Sequence, residues 1–276
     1  MTVNPRLVLE THGIAPKRSL GQNFLHDPNM LEKIVNSAAL QPDEAVLEVG
    51  PGTGVLTERL AAVAPELVAV ELDDRLQPIL DERLSAFPQA RVIYQDILSV
   101  DVAGLFAGRP YVVVANLPYY ITSAILRHLL ENAHPPRRLI ITVQNEVAER
   151  LIAKPDDMSI LSVSVQYYGK PQIITRLNPA LFWPRPDVES AVVRIDVYPQ
   201  QPLDVPDDRT FFRVVRAGFS QKRKQLKNAL SSGLALNAAA AEAIFADANV
   251  DSRRRAETLT LEEWARLTRA TAPHLR

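Results

Sequence analysis

The run Tyr111-Val112-Val113-Val114-Ala115 passes directly into Asn116-Leu117-Pro118-Tyr119. Three consecutive β-branched valines without a polar alternate position predict a strand buried on both faces, and such strands occur in parallel sheets covered by helices. The run ends in an amide, a proline and an aromatic ring, groups that contribute little to a core. In open α/β sheets ligands bind beyond the carboxyl ends of the strands, so this tetrad is placed where chemistry occurs. The Asn116 side-chain oxygen and the Pro118 carbonyl can accept the two N–H bonds of an exocyclic amine, and the Tyr119 ring can stack on its base.

Upstream spacing supplies a second ligand. Ala45-Val46-Leu47-Glu48-Val49 reads as a strand, followed by Gly50-Pro51-Gly52-Thr53-Gly54 and a helical pattern at Val55, Leu56, Leu60 and Val63. The glycines, spaced GxGxG, permit a tight turn beside a ligand, and the free N–H groups of the new helix suit a carboxylate. Val68-Ala69-Val70-Glu71 places an acid at the next strand end, where it can accept ribose hydroxyls. Arg91 to Asp96 repeats the pattern, with Asp96 positioned for an adenine amino group and Ile97 beside it. Together these groups look like a site for S-adenosylmethionine next to an amine acceptor. Glu48 has two readings, a water-bridged contact to the methionine amine or a cap for its own loop.

The net charge of −1 hides an asymmetry. Residues 209–255 hold ten Lys or Arg against three acids, a local balance of +7 that leaves −8 elsewhere. A basic lobe of this kind is the footprint of phosphate binding. Arg213, Arg216, Lys222, Arg223, Lys224 and Lys227 are its candidate contacts, with Arg253 to Arg255 adding to them. Phe211, Phe212 and Phe219 are expected to bury the opposite face. Lys17 and Arg18 form a second, smaller basic candidate. The absence of cysteine fits the cytoplasm, and five scattered histidines show no metal-ligand spacing, so no metal is expected. Met1 to Glu10 lacks an apolar signal core, and no apolar run approaches the roughly 20 residues of a membrane span.

Strand and helix signals alternate from residue 45 to about 155, which predicts a doubly wound parallel sheet. Asp27-Pro28 is a helix start, with a cap followed by proline in the first turn. Strands are expected at 138–143, 171–177 and 190–197, and a helix at 159–168. The proline-rich acidic stretch 200–208 reads as a linker. Helices are expected beyond it at 209–219, 222–231, 238–248 and 260–270. The implied domains are 1–200 and 209–276.

In these motifs the chain resembles the KsgA family of small-subunit ribosomal RNA adenine dimethyltransferases over most of its length. The matching segments are Gly21 to Leu25, Glu48 to Gly54, Glu71, Asp96 to Leu98, Asn116 to Tyr119, Val143 to Ala148, Phe182 to Val193 and Phe219 to Lys224. The resemblance implies a Rossmann-like S-adenosylmethionine-dependent methyltransferase domain followed by a small all-helical RNA-binding domain. It implies methylation, twice each, at N6 of two adjacent adenosines in a hairpin loop near the 3′ end of small-subunit ribosomal RNA. The substrate would be that RNA or an assembly intermediate of the subunit, met by a cytoplasmic monomer. Gln22 and Asn23 would face the methionine end of the cofactor, with Phe24 and Leu25 anchoring the segment, and Leu25, Glu48, Gly50, Gly52, Gly54, Glu71, Asp96, Ile97 and Asn116 would complete the cofactor site. Phe182 would form the second wall of the base pocket, opposite Tyr119.

The chain departs from this pattern at Trp183, where a small or polar residue is expected, and at Lys154 to Ile160, a loop expected to border the target site. Two other readings compete. One is a large-subunit ribosomal RNA adenine methyltransferase of the macrolide-resistance type, disfavoured by Phe219 to Lys224 and Arg255 to Leu259. The other is an RNA-binding assembly or transcription factor that has lost turnover, disfavoured by intact Asn116, Pro118 and Tyr119.

Overall fold

The computed structural model describes residues 4–118 and 120–275. A short helix α1 (Pro5–Thr11) and the two-residue strand β1 (Phe24–Leu25) precede α2 (Pro28–Ala38). The Asp27 carboxylate accepts the Met30 N–H at 2.9 Å and Pro28 opens the first turn, as the local sequence requires. There follow β2 (Ala45–Val49), α3 (Val55–Ala61), β3 (Leu67–Glu71), α4 (Gln77–Leu84), β4 (Ala90–Tyr94), β5 (Tyr111–Asn116), α5 (Thr122–Leu130), β6 (Arg138–Gln144), α6 (Asn145–Leu151), α7 (Ile160–Tyr168), β7 (Gly169–Leu177), the two-residue β8 (Phe182–Trp183) and β9 (Ser190–Val197).

Seven strands form one sheet in the order β4-β3-β2-β5-β6-β9-β7. The first five run parallel, and β9 returns antiparallel to β6. Val112, Val113 and Val114 have no exposed surface, so each valine contributes about 2 kcal/mol of burial at the centre of the sheet. The winding reverses between β2 and β5, which pair with Val49 opposite Ala115. The crevice beyond this pair is the topological switch point of the sheet.

The chain divides into two compact units. One comprises the described residues up to Ala148 together with Lys170–Val197; the other comprises Glu149–Gly169 and the described residues from Tyr198 on. The expected single cut between residues 200 and 209 is therefore corrected, because 149–169 groups with the C-terminal helices. The reason lies in packing: Val163 and Tyr167 of α7 belong to the same core as Phe211, Leu230 and Trp264. The Tyr167 ring stacks on Phe211 at 4.3 Å, and its hydroxyl donates to Asp208 at 2.6 Å. A period-3.6 pattern identifies a helix but not which core it joins.

The second unit continues with α8 (Asp208–Phe219), α9 (Leu226–Leu234), α10 (Ala238–Ala248) and α11 (Leu261–Thr271). Gly218 of α8 lies directly under the Trp264 ring, where a Cβ would collide. Helix α9 begins four residues later than expected. Lys222, Arg223 and Lys224 occupy the preceding turn, and the first α9 amides, Leu226 and Lys227, donate to the Arg254 and Ser252 carbonyls. The divergent loop is likewise held inside this unit, since the Asp156 and Met158 amides both donate to the Glu257 carbonyl.

Candidate active site

Residues from the ends of β2, β3, β4 and β5 converge on a cavity of about 120 Å³. Gly50, Gly52 and Gly54 carry φ of 73°, 58° and 77°, so the backbone turns through a region that side chains disfavour. At Gly52 the close approach is specific: a Cβ there would lie 2.8 Å from the Phe24 ring. Gly50 and Gly52 line the cavity, whereas Gly54 does not. It opens α3 instead, tight against Arg83 and Leu80.

Glu48 lines the cavity and is 1% exposed, with one carboxylate oxygen lacking any hydrogen-bond partner among the described residues. Burial pushes its carboxyl up to about 8. Thr57 offsets part of that push although its hydroxyl lies outside hydrogen-bond geometry, and the nearby Glu71 charge adds to it. Glu71 is also raised by burial, but both its oxygens are engaged. They accept the Gly52 N–H at 3.0 Å and the Asp73 N–H at 2.8 Å, which pull in the opposite direction. Glu71 therefore shapes the glycine loop and retains lone pairs for further donors. Asp96 accepts the Leu98 N–H through Oδ1 at 2.9 Å, and its other oxygen has no protein partner among the described residues. Ile97 is buried beside it. Half-exposed Leu72 also lines the cavity, a residue that sequence reasoning missed because a lone leucine after an acid carries no signal.

Asn116 closes β5. Its Nδ2 donates to the Asn23 carbonyl at 2.8 Å, which fixes the amide with Oδ1 as the remaining acceptor. The Pro118 carbonyl accepts the Ile121 N–H at 3.3 Å and the Thr122 hydroxyl at 3.1 Å, so it is already part of the turn entering α5. Both residues line the cavity. Tyr119 lies outside the described residues.

The segment from Lys17 to Leu25 crosses this end of the sheet. Gln22, Asn23 and Leu25 line the cavity, but the Gln22 amide is committed. Its Oε1 accepts the Lys17 N–H at 2.7 Å and its Nε2 donates to Asp73 at 2.9 Å. Leu25 also belongs to the core of the sheet.

Two expectations are corrected. Phe182 is 3% exposed and packs in the core with Leu25 and Leu31, outside the cavity lining, because β8 pairs with β1 and sets Phe182 opposite Leu25. Lys17 does not stand free; its ammonium pairs with Asp73 at 3.3 Å, while Arg18 is exposed. In the second unit Arg213 and Arg216 share an exposed face of α8, and Lys222, Arg223 and Lys224 are exposed in the following turn. Lys227 pairs with Glu242 at 3.0 Å. The expected contribution of Arg253 to Arg255 is reduced by ion pairs to Asp251, Glu263 and Glu257.

The pattern of the ribosomal RNA adenine dimethylase family matches residues 14–267. The chain belongs to that family. It is a methyltransferase that dimethylates adenine in ribosomal RNA. Ribosomal RNA small subunit methyltransferase A of Alkaliphilus metalliredigens is 44% identical over 274 residues, covering 97% of this chain and 96% of its own. Among solved structures, the 23S ribosomal RNA methyltransferase ErmE is similar with a TM-score of 0.72 and 28% identity, over 90% of this chain and 98% of its own. A dimethyladenosine transferase from Plasmodium falciparum shares the fold with a TM-score of 0.79 at 23% identity, over 91% of this chain and 98% of its own. Among the described residues, no helix is long and apolar enough to cross a membrane, and no group of three or more His, Cys, Asp or Glu side chains is arranged to hold a metal.

Proposed function

We propose that the chain transfers methyl groups from S-adenosylmethionine to N6 of two adjacent adenosines in a 3′-terminal hairpin loop of small-subunit ribosomal RNA. The product at each is N6,N6-dimethyladenosine, made by a cytoplasmic monomer during assembly of the subunit. The observation that carries this reading is the Asn116 amide, locked by Asn23 so that its oxygen is presented beside three strand-end acids. The 44% identity to a small-subunit enzyme, against 28% to a large-subunit one, favours the small-subunit substrate.

The residues fit the cofactor. The unpartnered buried oxygen of Glu48 suits its cationic amine, the remaining lone pairs of Glu71 suit the ribose hydroxyls, and the free oxygen of Asp96 suits the adenine amino group. Ile97 and Leu72 supply apolar surface for the purine. S-adenosylmethionine supplies an electrophilic methyl group.

On the acceptor side the difficulty is that the N6 lone pair is delocalised into the adenine ring. Asn116 Oδ1 takes one N–H and the Pro118 carbonyl, on releasing the Thr122 hydroxyl, takes the other, which draws the nitrogen toward a pyramidal geometry and turns its lone pair toward the methyl group. This is catalysis by positioning and electrostatics. No strong base is required, because the alkylated nitrogen is acidic and sheds its proton to water. After the first transfer only one N–H remains. The Pro118 carbonyl is then still satisfied by Ile121 and Thr122, so losing the second donor leaves no orphaned acceptor there. Tyr119 stacks on the extruded base.

Exposed Arg216, Lys222, Arg223 and Lys224, with Arg213, contact phosphates and hold the RNA without reading its sequence. Arg18 provides a further contact of the same kind.

The test is to incubate the protein with labelled S-adenosylmethionine and unmodified small ribosomal subunits, digest the RNA and identify the labelled nucleosides. Dimethyladenosine confined to small-subunit RNA is the expected result. Label on large-subunit RNA alone, or subunit binding without label, would overturn the substrate or the turnover respectively.

A further inference from the structure

Asp73 stands two residues beyond the strand-ending Glu71, a position that reads as a solvated loop acid. Its side chain has no exposed surface. Four hydrogen bonds converge on it: Arg75 donates from Nε at 2.8 Å and from Nη2 at 2.6 Å, Gln22 from Nε2 at 2.9 Å, and Lys17 from Nζ at 3.3 Å. Arg75 holds the Asp73 carboxyl well below the usual carboxylate range, and Gln22 and Lys17 add to that effect. Arg75 also donates to the Ala15 carbonyl at 3.3 Å.

These bonds tie a segment that has little structure of its own. Between Ala15 and Leu25 regular structure amounts to one three-residue 3-10 turn and a two-residue strand. The segment nevertheless touches both halves of the site. Asn23 accepts from Asn116, Phe24 covers Gly52, and Gly21 faces Pro118 and the Tyr120 ring. The Asp73 amide in turn donates to Glu71.

We propose that Asp73 is a positioning residue that anchors the Ala15–Leu25 strap across the cavity, retaining the methyl donor and holding the Asn116 amide in orientation for the acceptor amine. The proposal rests on the donor and acceptor assignments above. Its energetic basis is that a charge-assisted cluster around one buried anion is stronger than the neutral contacts made elsewhere along the strap. Removing the anion frees Lys17 and Arg75, both already partly exposed, and leaves the Lys17–Gln22 part of the strap without its charged anchor, while the β1–β8 pairing and the buried Phe24 and Leu25 still hold its far end.

The strap carries its own reporter, because trypsin cleaves after Lys17 and Arg18. The experiment compares the full chain with Asp73→Asn and Lys17→Met in three measurements: cleavage rates at these two bonds, S-adenosylmethionine affinity by calorimetry, and steady-state methylation of small subunits. For Asp73→Asn, cleavage at Arg18 is expected to accelerate roughly tenfold, with the donor Kd rising and kcat falling by about the same factor. Cleavage at Lys222 to Lys224 serves as the internal control and stays unchanged. Lys17→Met removes the longest of the four bonds and is expected to produce shifts of about threefold in the same direction at Arg18. A variant that melts earlier yet keeps wild-type strap cleavage, donor Kd and kcat would overturn the proposal, since that is what a merely structural residue does. Failure of the wild-type chain to bind the donor would instead overturn the cofactor assignment. Accelerated strap cleavage in Asp73→Asn would still report the anchor.

Discussion

The cofactor end of the sheet and the basic face of the helical unit are both built from charged residues, but the charges are held differently. At the sheet, Glu48 and Glu71 are buried, and the Gly52 and Asp73 amides fix the Glu71 carboxylate. On the helical unit, Arg216, Lys222, Arg223 and Lys224 project into solvent, while Lys227 and Arg253 to Arg255 are occupied by neighbouring acids. A site that must present one lone pair to one methyl group needs fixed atoms. A surface that must attract a polyanion needs only local excess charge, and salt screens it readily. Substitutions in the first region should therefore act on turnover and donor binding, and those in the second on RNA affinity and its salt dependence.

The largest expected effect tests the first half of that contrast. Asn116→Ala removes the one acceptor that the structure orients, and is expected to lower methylation by at least about a thousandfold. Subunit binding and thermal stability should stay near wild type, because among the described residues the side chain makes one hydrogen bond, to the Asn23 carbonyl. Wild-type turnover in this variant would return the tetrad to a strand terminator.

Glu48→Gln separates burial from catalysis. Its carboxyl is raised from the ordinary value to about 8, so between roughly pH 4.5 and 8 the folded state holds a proton that the unfolded chain has released. Stability of the wild-type protein should then fall through that window by an amount on the order of a few kcal/mol, and level off above it. The glutamine variant lacks this slope. Its melting temperature should match wild type near pH 4.5 and exceed it at pH 8, with weakened donor binding at both. Parallel melting curves across the range would show that Glu48 is ionised and paired in solution.

A smaller effect is expected on the basic face. Replacing Lys222, Arg223 and Lys224 together with alanine should weaken RNA binding and flatten the log–log salt dependence by about 0.7 to 0.9 for each phosphate that is no longer neutralised. Donor binding should be untouched. Arg253→Ala, which removes a side chain already paired with Asp251, should alter the slope much less. Equal slopes for the triple variant and wild type would mean that the run is only a solvated turn.

The strand ends were legible because a doubly wound sheet maps sequence order onto space. Once β2, β3, β4 and β5 are recognised by their apolar runs, the residues at their carboxyl ends must lie at the same edge. Glu48, Glu71, Asp96 and Asn116 were found in that way. Phe182 was misplaced because its environment depends on the pairing of β1 with β8, a contact between segments more than 150 residues apart that leaves no periodic trace. Leu72 was missed for a related reason: one apolar residue acquires meaning only from the cavity beside it. The basic run was found as charge, but its division into exposed and self-paired groups required knowing which acids fold back onto it.

By itself, then, the sequence determined a doubly wound parallel sheet, the acids and amide arranged along one edge, and the sign of the charge on the C-terminal helices. These follow from local periodicity and composition, which act over a few residues. Tertiary structure alone decided that residues 149–169 belong to the helical unit and that Phe182 is core. It also decided that one Glu48 oxygen has no hydrogen-bond partner among the described residues and that Asp73 gathers the N-terminal strap. Each of these depends on desolvation or on a hydrogen bond between distant segments, and neither is encoded in the spacing of neighbouring residues.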